Sequence, residues 1–139
     1  MSTIEKRKSR AGPPGFALVM ESDPDLRAVI SSALLLDGHR VECVSNCAGV
    51  LAWRKGVGPL PEEFVLALGA GELDQDWKTL KLALDEDAVL ARTAVIVLLT
   101  IRNGLTFPAR ARILQKPFAI EELLALVASA VAAARRLPV

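Results

Sequence analysis

Two acidic side chains, Glu21 and Asp23, flank Ser22 directly after an apolar run and directly before Pro24. Carboxylate oxygens are hard ligands, and a pair of them beyond a strand is a donor set that holds divalent cations. The same position suits a plainer duty. An aspartate just ahead of a helix-starting proline accepts hydrogen bonds from the first free N–H groups of that helix. Asp23 is therefore expected to cap a helix, which leaves too few converging ligands for a strong metal site. Far along the chain Lys116 precedes Pro117. Its ammonium has three candidate duties: satisfying strand-end carbonyls, pairing with Glu21, or meeting a bound anion.

Other residues with chemical potential are weaker signals. Gly69-Ala70-Gly71 precedes a helical pattern and has the backbone freedom to cradle an anion, but no full phosphate-loop spacing follows, so a tight turn is the expectation. Cys43 and Cys47 lie three residues apart across a strand-to-helix turn, a spacing open to redox pairing, though idle thiols in a reducing cytoplasm are the simpler expectation. His39 is the only histidine, so no four-ligand zinc site can be assembled. Lys6, Arg7, Lys8 and Arg10 lack interleaved aromatics and read as solvated charge rather than a nucleic-acid surface. No nucleophile with a matching base emerges at any strand end, so an enzyme is not expected.

The elements that must position these residues follow from the pattern. The chain has 139 residues, 52% hydrophobic and with a formal net charge of +1, enough for one domain with a core and without a field that would gather nucleic acid or an anionic membrane. No run reaches the roughly 18 apolar residues that a membrane span requires. Residues 1 to 15 combine charge with Gly12, Pro13, Pro14 and Gly15 and read as a flexible lead-in to a domain at 16–139. Phe16 to Met20 is an apolar strand, Leu26 to Leu34 recur at helical spacing until Gly38, and Arg40 to Val44 alternates as a second strand. Asn46 is expected to cap a helix ending near Gly56. Phe64 to Leu68 and Ala94 to Leu99 are wholly apolar strands, with Leu73, Trp77, Leu80 and Leu84 on a helical face between them. Ile113 and Leu114 mark a short fifth strand before a last helix over Ile120 to Val131.

Strands apolar on both faces belong inside a parallel sheet, and strands separated by helices imply layers on both sides. The predicted fold is α/β, a doubly wound five-stranded parallel sheet. Working sites in such sheets lie beyond the carboxyl ends of the strands, which here means the segments after Met20, Leu68, Leu99 and Gln115.

Two stretches, Ala17-Leu-Val-Met-Glu-Ser-Asp-Pro-Asp-Leu-Arg27 and Leu114-Gln-Lys-Pro-Phe-Ala-Ile-Glu-Glu-Leu-Leu124, resemble the receiver (CheY-like) domains of bacterial response regulators. The resemblance runs from Phe16 to the C-terminus and implies the flavodoxin-like strand order. It also implies a site: an acidic pair after the first strand for Mg²⁺, an aspartate ending the third strand as phosphoacceptor, and a lysine before proline that neutralises the added charge. Anchored on Pro24, the acidic pair maps onto Glu21 and Ser22, so one carboxylate has become a hydroxyl and Mg²⁺ binding is expected to be weak or absent. The acceptor maps onto Gly69 counted from the following helix, or Leu68 counted from the preceding strand, and neither is a nucleophile. The hydroxyl ending the fourth strand maps onto Thr100 or Leu99, and the switch aromatic onto Ile113. Lys116 is retained, and its bond to Pro117 is a candidate for the cis form.

The interval from Thr100 to Lys116 is shorter than the family's by roughly one and a half helical turns of about 3.6 residues each. Asn103, Gly104 and Pro108 also disfavour helix, so the fourth helix is expected to be shortened or missing. The resemblance thus implies a stand-alone, degenerate receiver in bacterial signalling. It would work without phosphorylation, binding a protein partner or itself through helical faces that include Ile101 to Arg112. The competing expectation is a sensor whose vacated acidic pocket takes a nucleotide or metabolite, with Lys116 and the Gly69 turn on its anionic group.

Overall fold

A strand that is apolar on both faces is stable only inside a layered fold, and three strands meet that condition. The computed structural model describes residues 15–58, 60, 64–69, 76–99 and 107–135. In it β1 (Phe16–Met20), β3 (Phe64–Gly69) and β4 (Ala94–Leu99) are buried along their whole length apart from Gly69. β2 (Arg40–Val44) and β5 (Arg112–Gln115), which carry polar residues, form the edges. All pairings are parallel and the order is β2-β1-β3-β4-β5, the flavodoxin-like arrangement expected. Met20 lies opposite both Val44 and Leu68, so the three strands finish at one level.

The helices are α1 (Pro24–Leu36), α2 (Cys47–Gly56), α3 (Trp77–Glu86) and α4 (Ile120–Arg135), with a 3-10 turn at Leu90–Arg92. Both predicted caps are present. Asp23 accepts from the N–H groups of Asp25 and Leu26 at 2.9 and 3.4 Å, and Asn46 accepts from that of Gly49 at 2.8 Å. α1 closes with the N–H of Gly38 on Leu35 O and that of His39 on Leu34 O. This paired closure needs a left-handed residue, and Gly38 supplies it at φ 98°.

Strand alternation divides the interior in two. Leu18, Leu66 and Val97 face α2 and α3, whose Val50, Leu80 and Leu84 meet them. Val19, Val65 and Ile96 face α1 and α4, which contribute Ile30, Leu34, Leu123 and Val127. Each fully buried aliphatic side chain contributes about 1.5–3 kcal/mol, so these two layers dominate stability. At the amino edge Trp53 stacks on Phe64 at 5.4 Å, and Phe16 meets both rings edge-on. Among the described residues, no helix is long and apolar enough to cross a membrane.

The structure adjusts several boundaries. Gly15, assigned by pattern to the lead-in, is buried, and its carbonyl accepts from the N–H of Arg40 at 2.7 Å, so the sheet's ladder reaches one residue further. β3 includes Gly69, and β5 gains a residue at each end because the ladder to β4 runs from Arg112 to Gln115. Residues 1–14, Leu73 and the 100–106 segment, with Thr100, Asn103 and Gly104, lie outside the described residues. In the described part of the β4–β5 connection, 107–111, there is no helix. Arg110 ties that segment down instead. Its guanidinium donates to Thr93 O, Leu84 O and Leu90 O at 2.9, 3.0 and 2.6 Å, joining the end of α3 and the 3-10 turn to the approach to β5.

A second tie joins α2 to the end of α3. Arg54 forks onto Asp87, with Nε to Oδ2 at 3.1 Å and Nη2 to Oδ1 at 3.3 Å, while Asp87 also accepts from the N–H groups of Val89 and Leu90. Burial alone would raise the Asp87 pKa. The N–H of Leu90, the Arg54 guanidinium and the N–H of Val89 outweigh it and hold the carboxyl below its ordinary 3.8. A carboxyl lowered in the native state stabilises that state when ionised. Its contribution is therefore complete above pH 3.8 and fades as acidification carries the pH through the lower native value. Asp87→Asn should lower the urea midpoint at pH 7 and narrow that gap as the pH drops below the ordinary carboxylate range. Leu66→Ala, in the middle of β3, should cost about 2–5 kcal/mol in the same unfolding experiment at every pH.

Candidate functional site

β1 and β3 are neighbours at the point where the strand order reverses, which is where a doubly wound sheet leaves a crevice at its carboxyl edge. Glu21 follows β1 and Gly69 ends β3, so the chain itself delivers both to that crevice. Lys116 follows β5 and its N–H continues the ladder by donating to Leu99 O at 2.6 Å. The Lys116–Pro117 peptide is cis, as expected from the sequence.

Glu21 is 3% exposed and is held on all sides. Its backbone N–H donates to Val44 O at 3.2 Å, and its carbonyl accepts from Arg27 Nη1 at 2.8 Å. Its carboxylate divides: Oε1 receives Lys116 Nζ at 2.8 Å, and Oε2 receives the N–H of Asp23 at 3.1 Å. The Lys116 side chain is 15% exposed, so the pair is substantially withdrawn from water. Of the duties that its sequence left open, Lys116 performs the pairing with Glu21.

Gly69 explains how this is possible. A Cβ on Gly69 would overlap Glu21 Oε1 and lie 2.8 Å from Glu21 Cδ. The Glu21 carboxylate therefore occupies the volume into which a side chain at position 69 would project. Leu68, the alternative register for the acceptor, is fully buried in the layer facing α2 and α3 and has no access to the crevice. Position 69 is thus the strand-end position that faces Lys116, and it carries no nucleophile. That Glu21 reaches the space beside Gly69 was not legible by motif, because it depends on how far its side chain extends.

The remaining predicted residues do not join this cluster. Asp23 is committed to its helix cap. Ser22 is exposed, and Thr100 lies outside the described residues. Leu99 is buried, and Ile113, at the switch-aromatic position, is 44% exposed. Cys43 and Cys47 are not joined in a disulfide: one is exposed with its sulfur 2.9 Å from Ser31 Oγ, and the other is buried. For Mg²⁺ the donor set does not fit. Among the described residues a single carboxylate converges at the crevice, and Lys116, a competing cation, is already on it. Of the anion contacts expected of a ligand-sensing pocket, Lys116 is paired with Glu21, and Ala70 and Gly71 of the turn after Gly69 lie outside the described residues.

No protein-family model and no curated protein matches the chain by sequence. Solved structures do match by shape. A sensor protein from Polaromonas sp. JS666 superposes with a TM-score of 0.70 and 20% identity, over 88% of this chain and 99% of that one. The signal receiver domain of a signal transduction histidine kinase from Syntrophus aciditrophicus gives 0.70 and 19%, over 89% and 95%. A CheY-like response regulator receiver domain protein from Methanospirillum hungatei JF-1 gives 0.69 and 16%, over 88% and 98%. The chain has the CheY-like receiver fold. Within that fold, a glutamate held by the lysine of the cis peptide fills the place of a strand-three side chain.

Removing one partner of this pair should be costly in proportion to its burial. Lys116→Met leaves a buried carboxylate without its cation and should destabilise the fold by about 3–5 kcal/mol. Glu21→Gln/Lys116→Met should recover part of that loss in a double-mutant cycle read by chemical denaturation. Gly69→Ala, a single methyl on the Glu21 carboxylate, should cost about 1–3 kcal/mol despite the better β-propensity of alanine.

Proposed function

We propose that this chain is a phosphorylation-independent receiver domain, an adaptor in bacterial signal transduction that works by protein–protein contact rather than by chemistry at its strand ends. The observation that carries this reading is the Glu21 carboxylate lying over Gly69 and paired with Lys116 at 2.8 Å. Phosphoryl transfer to a receiver requires a carboxylate nucleophile, a cation, and a lysine available for the new charge. Three features support the reading: β3 ends on Gly69, the Glu21 carboxylate is taken by Lys116 and the Asp23 N–H, and the lysine is already paired.

What is left for recognition is surface. Val29, Leu35 and Leu36 are exposed on α1, Leu82 on α3 and Ile113 on β5, each more than 40% accessible. Apolar side chains in such positions supply contact area to a partner protein or a second copy. In the described part of the β4–β5 connection, 107–111, Arg110 holds a non-helical backbone where receivers are expected to present a helical surface. The reading places the protein in the reducing cytoplasm, where thiols such as Cys43 persist. It assigns no catalytic residue and no cofactor.

The decisive experiment is incubation of the protein with Mg²⁺ and acetyl phosphate, and separately with beryllofluoride, followed by intact-mass and backbone-amide NMR measurement. The expected result is an unchanged mass, with amide positions after β1, β3 and β5 unmoved beyond the effect of salt. Stoichiometric, saturable modification at those strand ends would overturn the reading.

A further inference from the structure

A half-open cavity of about 310 Å³ lies at the amino edge of β4 and β5, at the opposite end of the sheet from Glu21 and Lys116. Its existence follows from residue size. Ala94 at the start of β4, Ala109 and Ala111 ahead of β5, and Ala130 and Ala133 on α4 all face the same space, and none extends beyond a methyl group. Where a close-packed interior would have leucine or isoleucine, this layer stops short. The volume is at the small end of the roughly 300–1,000 Å³ typical of ligand pockets, room for one compact organic body.

The polar part of the lining is cationic. Arg112 lies opposite Ile96 in the β4–β5 register, and Ile96 faces the α1–α4 layer, so strand alternation sends the Arg112 side chain over the cavity on the α4 side. It is exposed and makes no ion pair with any described residue. Arg110 closes the end of the cavity, fixed by its bonds to three carbonyls. Among the described residues the lining contains no acid, and Asp85, whose charge Arg110 feels, is not part of it. Downstream of Glu122 the sequence has no acidic residue at all, so α4 brings none to this edge. An anionic head with an apolar body meets both halves of this surface: methyl groups for the body, and a planar guanidinium for bidentate contact with a carboxylate.

We propose that this cavity is a binding site for a small organic carboxylate, whose aliphatic or aromatic body lies among the alanines and whose carboxylate pairs with Arg112. The site is independent of the Glu21–Lys116 cluster and of whether the domain accepts a phosphoryl group.

Benzoate and hexanoate are suitable probes, with benzamide and benzyl alcohol as neutral counterparts, titrated into the full chain and followed by backbone-amide NMR. The expected result is saturable shifts confined to residues 93–94, 109–112 and 130–133, with the carboxylates bound more tightly than the neutral compounds. Arg112→Ala should weaken carboxylate binding by about tenfold, the scale of one charge-assisted contact, and leave the neutral compounds little changed. Ala130→Leu, which fills the cavity, should abolish binding while the thermal midpoint holds or rises. Should that variant fail to fold, Ala133→Val is the milder substitution with the same expected loss. Absence of saturable binding by either carboxylate, shifts that map to another surface, or unchanged affinity in both the arginine and the cavity-filling variants would overturn the proposal. None of these outcomes bears on the acetyl phosphate experiment, so this proposal and the adaptor reading fail separately.

Discussion

A carboxylate almost wholly withdrawn from water must either find donors and a counter-charge or take up a proton. Glu21 finds them in the Lys116 ammonium and the Asp23 N–H, and the search sets the terms for three elements at once. Lys116 has to arrive from β5, across β4. The Asp23 N–H must be presented by the turn into α1. And β3 has to end on a residue without a side chain, because the carboxylate occupies that residue's Cβ position. The desolvation of such a pair offsets much of its attraction, so its stabilising value is modest. Its value in specification is larger: each of the three elements is placed correctly only if the other two are.

The two ends of the sheet solve different problems. At the carboxyl end, the turn after β1 presents polar groups that Glu21, Asp23 and Arg27 satisfy, with Lys116 joining from beyond β5. At the amino end the problem is space. Phe16, Trp53 and Phe64 close the α2–α3 layer with rings, whereas the α1–α4 layer near β4 and β5 ends in alanines. Arg110 is the link between them. Where 107–111 is not helical, the Arg110 guanidinium donates to three carbonyls at the end of α3 and around the 3-10 turn, of which Leu90 O also accepts from the Thr93 N–H. Burial pushes the Arg110 pKa down, against the opposing pull of Asp85, yet a guanidinium starts so high that it keeps its charge near neutrality. A single side chain thus substitutes for part of a helix and also closes the alanine-lined cavity.

Much of this was legible from local chemistry. Asp23 ahead of Pro24, and Asn46 ahead of a periodic run, announce helix caps because the unsatisfied N–H groups of a helix start are a local requirement. The central strands were legible because burial on both faces excludes polar residues in a run that a sequence displays directly, whereas their order was implied by the resemblance to receiver domains. The site was legible only in its parts. Choosing between Leu68 and Gly69 needs the register of β3 against β1, which is a pairing between distant segments. Glu21 taking the place of a side chain at position 69 needs the third dimension outright. Arg110 was missed for the same reason. Its partners, Leu84, Leu90 and Thr93, offer backbone carbonyls, and a carbonyl leaves no mark in the sequence.

The Glu21–Lys116 pair also bears on what kind of signal such a domain can carry. An input shifts a conformational equilibrium only by the difference in its free energy of interaction with the two states. In the receivers this chain resembles, the phosphoryl group supplies that difference, because the lysine before the proline neutralises the added charge. On the proposed reading, the bond between Glu21 and Lys116 gives the lysine the same partner whatever the input, so that pair does not distinguish one state from another. Any differential free energy must then enter where a ligand or a partner protein can contact side chains directly. On this chain such places are the exposed apolar residues of α1, α3 and β5 and the arginine-rimmed cavity at the amino edge. The scaffold is retained, on this argument, because those surfaces need a rigid sheet behind them, and the fixed ion pair helps to provide it.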